Sequence, residues 1–177
     1  MKFLKGDIEH FFMSGEIDDL VALCRAPFRD DKIFPLLQRS IWFLLNNQFV
    51  LDPSTGVVLK VIKGSGMGLQ HSSAVAECAF MHAQELSLTK QLNVYQVSFY
   101  ARFKDDIIII YKDFDLLHEF FNLLKRGHPF KLECESISST SVLYLEVCVQ
   151  KTNNKFRVQP SSKPSSLSTP WLSRFSG

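Results

Sequence analysis

Residues 99-FYARFKDDIIIIYKDF-114 place two adjacent carboxylates, Asp105 and Asp106, inside an otherwise apolar and strongly β-prone run. Aromatic residues precede the pair, and four consecutive isoleucines follow it. Aspartate is common in tight turns, where its side chain stays solvated. We therefore interpret residues 95–111 as a β-hairpin whose two apolar arms flank a charged turn. This pattern alone leaves open whether the carboxylates are a solvated turn or a functional pair.

The segments around this hairpin predict an α+β protein. A first strand is predicted at 1-MKFLKGDI-8 and carries Asp7 near its end. A glycine loop, 64-GSGMG-68, precedes a helix capped by Ser72 or Ser73. Helices are predicted at 16–27, at 31–47, from the serine cap to about residue 88, and at 114–127. Another hairpin is predicted at 48–64, and further strands are predicted at 130–137, 141–150 and 155–159. With the 48–64 hairpin as an insertion, the order is βαββαβ, a ferredoxin-like antiparallel sheet backed by helices.

This topology predicts a convergence of three carboxylates. Its first strand lies beside the central hairpin, so Asp7 is expected close to Asp105 and Asp106. Like charges at short range raise each other's pKa and need a compensating cation. Carboxylate oxygens suit Mg²⁺, and two such ions roughly 3.5–4 Å apart can clamp the attacking and leaving oxygens of a phosphoryl transfer.

The composition sets broad limits. Hydrophobic residues make up 46% of the 177 residues and charged residues 21%, with a net charge of +2, as in ordinary globular proteins. No apolar run approaches the roughly 20 residues of a transmembrane helix. Asp7 also interrupts the chain too early for the apolar core of a signal peptide. We expect an intracellular protein without a membrane partner, whose four cysteines are mostly buried, reduced thiols.

Several other sequence features are weaker indicators of function than the three carboxylates. The glycines give G-x-G-x-G rather than the dinucleotide fingerprint G-x-G-x-x-G, and no acid follows at the ribose position. His71 is interpreted as a surface or capping residue rather than a metal ligand. Lys63, Arg102 and Lys125 could contact phosphates, with solvated charge as the default. Trp42 and the leucines around it are expected in the core.

Three motifs resemble those of a reverse transcriptase palm domain, most closely the palm of Penelope-like retroelements. The segment 3-FLKGDIEHFFMSGEI-17 resembles motif A, 62-IKGSGMGLQHSSAVAECAFMHAQE-85 resembles motif B, and 100-YARFKDDIIII-110 resembles motif C. The segments 142-VLYLEVCVQ-150 and 155-KFRVQPSSKPSS-166 resemble the strand and the Lys-Pro segment that follow in Penelope-like proteins. The motifs occur in the family's order across nearly the whole chain, and that order makes the resemblance specific.

Four residues depart from the family pattern. Phe103 replaces the usual Tyr, Met67 stands where many reverse transcriptases have Gln, and Glu146 stands where Asp is favoured. Lys104 occupies a position that is commonly small or aliphatic, directly before the aspartates. Its side chain could point away from the site, or it could pair with an aspartate and weaken metal binding.

The resemblance implies an RNA-directed DNA polymerase that uses two Mg²⁺ ions, with Mn²⁺ as a substitute, on an RNA or DNA template, a primer strand and a dNTP. The implied catalytic and metal-binding residues are Asp7, Asp105 and Asp106. The implied nucleotide- and template-binding residues are Phe12, the steric gate against the ribose 2′-hydroxyl, with Gly66, Gly68, Gln70, Ser72 and Phe103.

The resemblance also implies a domain plan. Residues 1–159 would form the palm and residues 160–177 a Ser/Pro-rich extended tail. Fingers and thumb are expected in a full-length protein, so the isolated chain is expected to be inactive or weak. The main alternative is a non-catalytic retroelement fragment that folds or binds nucleic acid without polymerising. Viral RNA-dependent RNA polymerases and nucleotidyl cyclases, which share the carboxylate arrangement, rank lower.

Overall fold

The computed structural model describes residues 1–25, 32–153 and 155–161. Within them the chain forms nine strands and five α-helices, which confirms the predicted α+β class. The strands are β1 (Lys2–Glu9), β2 (Phe49–Leu51), β3 (Val58–Lys60), β4 (Val97–Phe103), β5 (Asp106–Tyr111), β6 (Lys131–Ser138), β7 (Ser141–Tyr144), β8 (Val147–Thr152) and β9 (Lys155–Pro160). The helices are α1 (Ile17–Arg25), α2 (Phe34–Asn46), α3 (Ser72–Phe80), α4 (Leu86–Leu88) and α5 (Phe114–Lys125).

A four-stranded antiparallel sheet forms the centre of the fold, with the strand order β4-β5-β1-β6. β1 pairs with β5 on one side and with β6 on the other, and β4 and β5 form a hairpin. Helices connect β1 to β4 and β5 to β6, while the short β2–β3 hairpin forms a separate two-stranded sheet between α2 and α3. The elements therefore follow the expected order β-α-β-β-α-β, with one inserted hairpin.

The four isoleucines of β5 are buried on both faces of this sheet. Ile107 and Ile109 belong to the larger core, which also contains residues of α3 and α5. Ile108 and Ile110 point the other way and pack with Val142 of β7. Successive side chains of a strand alternate between faces, so a strand covered on both sides reads as a continuous apolar run. This double burial explains the β-prone run after the paired aspartates.

The predicted strand at 141–150 is wrong, because the structure divides it into β7 and β8. The two strands pair antiparallel, with Tyr144 opposite Val147 and a turn at Leu145 and Glu146. Leu145 has φ 55°, a left-handed conformation that is uncommon for residues other than glycine. The turn was not predicted because the segment contains no Gly, Asn or Asp to signal it. β9 then pairs with β8 and completes a three-stranded sheet.

The helix after the glycine loop extends as far as predicted but is not a regular α-helix. The segment Met81–Glu85 between α3 and α4 is π-helical. The predicted serine cap is wrong, because the capping position is His71 and it makes no side-chain capping hydrogen bond. The Ser72 hydroxyl instead donates to the carbonyl of Ser65 in the glycine loop, at 2.9 Å.

The prediction that Trp42 and the leucines around it lie in the core is also wrong in part, since Trp42 is 47% and Leu44 42% exposed, whereas Leu45 is buried. Among the described residues α2 packs chiefly against α1, and it buries Phe34 and Leu45 rather than Trp42. Of the predicted tail at 160–177, Pro160 ends β9 and the residues from 162 onward lie outside the described ranges. None of the helices in the described part of the chain is long and apolar enough to cross a membrane.

Candidate functional site

The structure brings Asp7, Asp105 and Asp106 to one edge of the central sheet. Asp7 near the end of β1 lies directly opposite Asp106 at the start of β5 in the antiparallel register. The backbone N–H of Ile8 donates to the carbonyl of Asp105 at 3.0 Å, so β1 also holds the hairpin turn. The juxtaposition expected from the βαββαβ order is therefore present in the backbone pairing.

The electrostatics of this edge are dominated by negative charge. The pKa of Asp7 is raised above its ordinary value by burial first, and then by the charges of Asp105, Glu135 and Asp106. The nearby cation is Lys5, whose Nζ lies 2.6 Å from Glu135 Oε2 and 3.5 Å from Asp106 Oδ1. These contacts raise the pKa of Lys5, the Glu135 hydrogen bond contributing most. Lys5 thus offsets part of the repulsion without removing it.

In the described part of the chain, Lys104 forms no ion pair with an aspartate. Its ammonium lies 5.4 Å from the centroid of the Phe103 ring, a cation–π geometry. Its backbone has φ 56°, and its carbonyl accepts a hydrogen bond from Arg102 Nη1 at 2.9 Å. The cation beside Asp106 is Lys5 rather than Lys104.

The donor chemistry of the three aspartates fits a hard cation such as Mg²⁺, which prefers carboxylate oxygens and retains several waters. Burial, and then the neighbouring carboxylates, raise the pKa of Asp7, and a bound cation would relieve the repulsion among those carboxylates. No group of three or more His, Cys, Asp or Glu side chains in the described ranges is already arranged as a ligand set. The edge therefore supplies suitable donors whose side chains would have to turn toward a metal.

The raised pKa of Asp7 predicts that Asp7→Asn stabilises the protein at neutral pH. The folded state binds the Asp7 proton more tightly than the unfolded chain, so ionisation above the ordinary pKa of 3.8 disfavours folding. Below that pH both states are protonated and the gain should vanish. Urea unfolding at pH 7 and at pH 3 measures the difference.

Asp52→Asn is the matched control with the opposite sign. Hydrogen bonds from the Ser54 and Thr55 side chains lower the pKa of Asp52 to about 2. Its ionised form therefore favours folding, and its substitution should reduce stability at neutral pH. Equal effects of the two substitutions, or a gain from Asp7→Asn that persists at pH 3, would contradict the assigned electrostatics.

A buried ion pair attaches the aspartate hairpin to the helical segment behind it. Arg102 donates to both carboxylate oxygens of Glu85, from Nε at 2.8 Å and from Nη2 at 2.9 Å, and Tyr100 donates to the same carboxylate at 2.6 Å. The Arg102 and Glu85 side chains are 11% and 10% exposed, and the guanidinium lies 4.8 Å from the Phe80 ring centroid. The interpretation of Arg102 as a solvated charge is therefore wrong.

Sequence reasoning missed Glu85 entirely. The available signal was the alternation in β4, where Tyr100 and Arg102 share a face of the strand. A guanidinium on an inward face requires a buried acid as its partner. The π-helical segment Met81–Glu85 places that acid at the level of the hairpin, and no local pattern predicts such a segment.

The glycine loop is bound to the segment that follows β1. The carbonyl of Phe12 accepts hydrogen bonds from the backbone N–H groups of Ser65 at 2.8 Å and Gly66 at 3.1 Å, and Gly64 N–H donates to the Gly15 carbonyl at 2.8 Å. The loop and the motif A segment therefore form one hydrogen-bonded unit. The predicted site residues differ in access: Gly68, Gln70 and Phe103 are exposed, Phe12 is half-buried, and Gly66 and Ser72 are buried. Ser72 supports the loop from behind through its bond to Ser65.

Gly64→Ala should destabilise the protein far more than Gly68→Ala. Both glycines have left-handed backbones, with φ 78° and 80°, so each alanine costs about 1–2 kcal/mol of backbone strain. A Cβ at Gly64 would lie 2.5 Å from the Phe12 carbonyl oxygen and from the Met13 Cα, whereas one at Gly68 meets open space. We expect a further loss of about 1–3 kcal/mol for Gly64→Ala alone. Thermal or urea unfolding measures both, and equal losses would contradict the tight packing of the loop.

The fold is similar to that of a telomerase. Sixteen chains of solved structures match, among them apo telomerase from Candida tropicalis truncated from its C-terminal domain, with a TM-score of 0.61 and 12% identity. The match covers 89% of this chain and 35% of the telomerase chain, so this chain spans about a third of that protein's length. No protein-family model and no curated protein matches the chain. At this identity the similarity shows a shared fold.

Proposed function

We propose that this chain is the palm of an RNA-directed DNA polymerase, with residues 1–159 forming the palm. The observation that supports the proposal most is the register that sets Asp7 opposite Asp106 with Asp105 in the adjoining turn. The similarity to telomerase, a reverse transcriptase-related polymerase, is consistent with it at the level of fold. The motif order resembling Penelope-like retroelements supports the finer relationship, which rests on sequence alone.

The proposed chemistry is nucleotidyl transfer to a primer 3′-hydroxyl. Asp7 and Asp105 would be the main ligands of two Mg²⁺ ions, or of Mn²⁺ in their place, with Asp106 as a secondary ligand. When bound, the ions would supply activation of the hydroxyl and neutralisation of charge on the triphosphate. The chain's own part is to fix three carboxylates at one sheet edge, through the β1–β5 pairing and the Arg102–Glu85 anchor.

The glycine loop and the motif C hairpin would contact the nucleic acid and the dNTP. Phe12 would act as the steric gate, and its carbonyl is fixed by two hydrogen bonds from the loop. The exposed positions Gly68, Gln70 and Phe103 would face the template or the nucleotide directly, and Gly66 and Ser72 would shape the loop. Fingers and thumb of a full-length protein would grip the triphosphate and the duplex, so we expect the isolated chain to be weak or inactive. Intracellular location remains a prediction.

The second candidate is a non-catalytic fragment that binds nucleic acid. The observation that favours it is the Lys5 contact to Asp106, together with the lack of a ready ligand set in the described residues. Lysine in contact with a carboxylate competes with a metal ion for that carboxylate. If Lys5 blocks the site, its loss should strengthen metal binding. In an active polymerase, its loss should change metal binding only slightly.

Primer extension by this chain within its full-length protein tests the proposal. The assay contains an RNA template, a labelled DNA primer, dNTPs and Mg²⁺, with a chelator control. Extension that requires the metal supports the polymerase. Primer–template binding without extension in Mg²⁺ or Mn²⁺ supports the non-catalytic fragment. If the protein neither binds nor extends the primer–template, both candidate functions are overturned.

A further inference from the structure

Two cysteines on different helices border the same cavity outside the carboxylate site. Cys24 is near the end of α1 and Cys78 is in α3, 54 positions further along the chain. The Cys24 thiol lies against α3, with its Sγ 3.5 Å from the carbonyl of Val75, one helical turn before Cys78. Both thiols line the same cavity, and each shifts the pKa of the other. Both cysteines are free in this structure.

The pair borders a cavity of about 350 Å³ between α1, α2 and α3. The wall is almost entirely apolar and is formed by Leu37, Ile41 and Leu44 of α2, with His71, Ala74 and Val75 beside the two cysteines. Cys24 is only 3% exposed, whereas Cys78 is half-buried. A small uncharged reagent can therefore reach Cys78 through the cavity, while larger or charged reagents are disfavoured.

We propose that Cys24 and Cys78 form an oxidant-reactive dithiol that a hydroperoxide converts to an intramolecular disulfide. The Cys78 thiolate attacks the peroxide oxygen, the O–O bond breaks, and a sulfenic acid forms with release of water or an alcohol. The Cys24 sulfur then attacks the Cys78 sulfur, the S–O bond breaks, and the second oxygen leaves as water. In total the two thiols lose two protons and two electrons, and the peroxide gains them.

The different environments of the thiols assign the two roles. The hydrogen bond with Cys24 lowers the pKa of Cys78 to about 7, so a large fraction is thiolate at neutral pH. The same interaction and burial raise the pKa of Cys24, so this buried thiol stays protonated and does not compete with Cys78 for the peroxide. Burial raises the pKa of Cys134, so that thiol is a poor competitor for peroxide. The shared cavity and the unequal exposure of the two thiols carry this assignment, which is independent of any polymerase activity.

The test begins with the reduced native protein and dilute hydrogen peroxide. After quenching with an alkylating reagent, mass spectrometry of proteolytic peptides should show the Cys24 and Cys78 peptides joined, with Cys134 and Cys148 alkylated. Cys78 should react at least about 10-fold faster than Cys134, because it has the larger thiolate fraction. The linked protein should melt roughly 5 °C or more higher, because the crosslink closes a long loop, and reductant should reverse the rise.

Single substitutions separate the two roles. Cys24→Ser should leave Cys78 as a sulfenic acid that a dimedone-type reagent traps, and Cys78→Ser should leave Cys24 reduced. Cys134→Ser is the matched control and should form the linked peptides as the parent does. Linkage through Cys134 or Cys148, or similar peroxide rates for all four thiols in the native protein, would overturn the proposal even if a variant fails to fold.

Discussion

Asp105→Asn should reduce primer extension by the full-length protein by about 1,000-fold or more. The substitution keeps the shape of the side chain and removes the charge that would hold the metal. Metal stabilisation of a phosphoryl-transfer transition state is worth several kcal/mol, and each 1.36 kcal/mol is tenfold in rate. The backbone carbonyl of Asp105 accepts a hydrogen bond from the Ile8 N–H. This bond does not involve the Asp105 side chain. The variant should therefore melt near the parent's temperature while losing activity.

Asp115→Asn is the matched control for this experiment. Asp115 carries the same carboxylate, is exposed, and lies in the first turn of α5 away from the sheet edge. It should extend primers at the parent's rate. If Asp105→Asn extends as well as Asp115→Asn does, the catalytic role of the paired aspartates is wrong. Primer–template binding should be similar in all three proteins, since the expected loss is in chemistry.

Arg102→Ala should lower the free energy of unfolding by about 3–5 kcal/mol, the range for breaking one side of a buried ion pair. The Glu85 carboxylate would lose both hydrogen bonds from the guanidinium and remain buried with only the Tyr100 hydroxyl as donor. The carbonyl of Lys104 would also lose its donor at the turn beside the aspartates. Urea unfolding at neutral pH measures the loss.

Two further variants separate charge burial from lost contact. Arg102→Met with Glu85→Leu removes both charges while keeping apolar volume, and it should recover much of the stability lost in the single variant. Lys131→Ala removes the exposed ion pair with Glu9, which solvent screens, and should change stability little. An Arg102→Ala loss no greater than that of Lys131→Ala would show that the pair does not anchor the hairpin.

The parts of the fold that follow from local pattern were predictable from the sequence. The apolar arms around Asp105 and Asp106 gave the hairpin, and the order of strands and helices predicted that Asp7 would lie beside it. Hydrophobic periodicity carries this information because burial on one or two faces dictates which positions must be apolar.

Most of the features that were not predicted depend on contacts between distant segments. The partner of Arg102 is 17 positions away on a π-helical segment, and the exposure of Trp42 depends on what covers α2. The division at Leu145 lacked a turn residue to mark it, since the left-handed backbone there is borne by a leucine. For the site, proximity of the carboxylates followed from topology, but the Lys5 contact to Asp106 and Glu135 required the strand register.

The double burial of β5 has a consequence for motion at the site. A strand covered on one face can separate from its sheet at the expense of one core, whereas opening β5 would expose both cores at once. Local opening of such a segment approaches the free energy of global unfolding. Asp106 begins this strand, so the carboxylate edge is joined to the part of the chain that fluctuates least on slow timescales. The backbone geometry of this edge is therefore as persistent as the folded state itself.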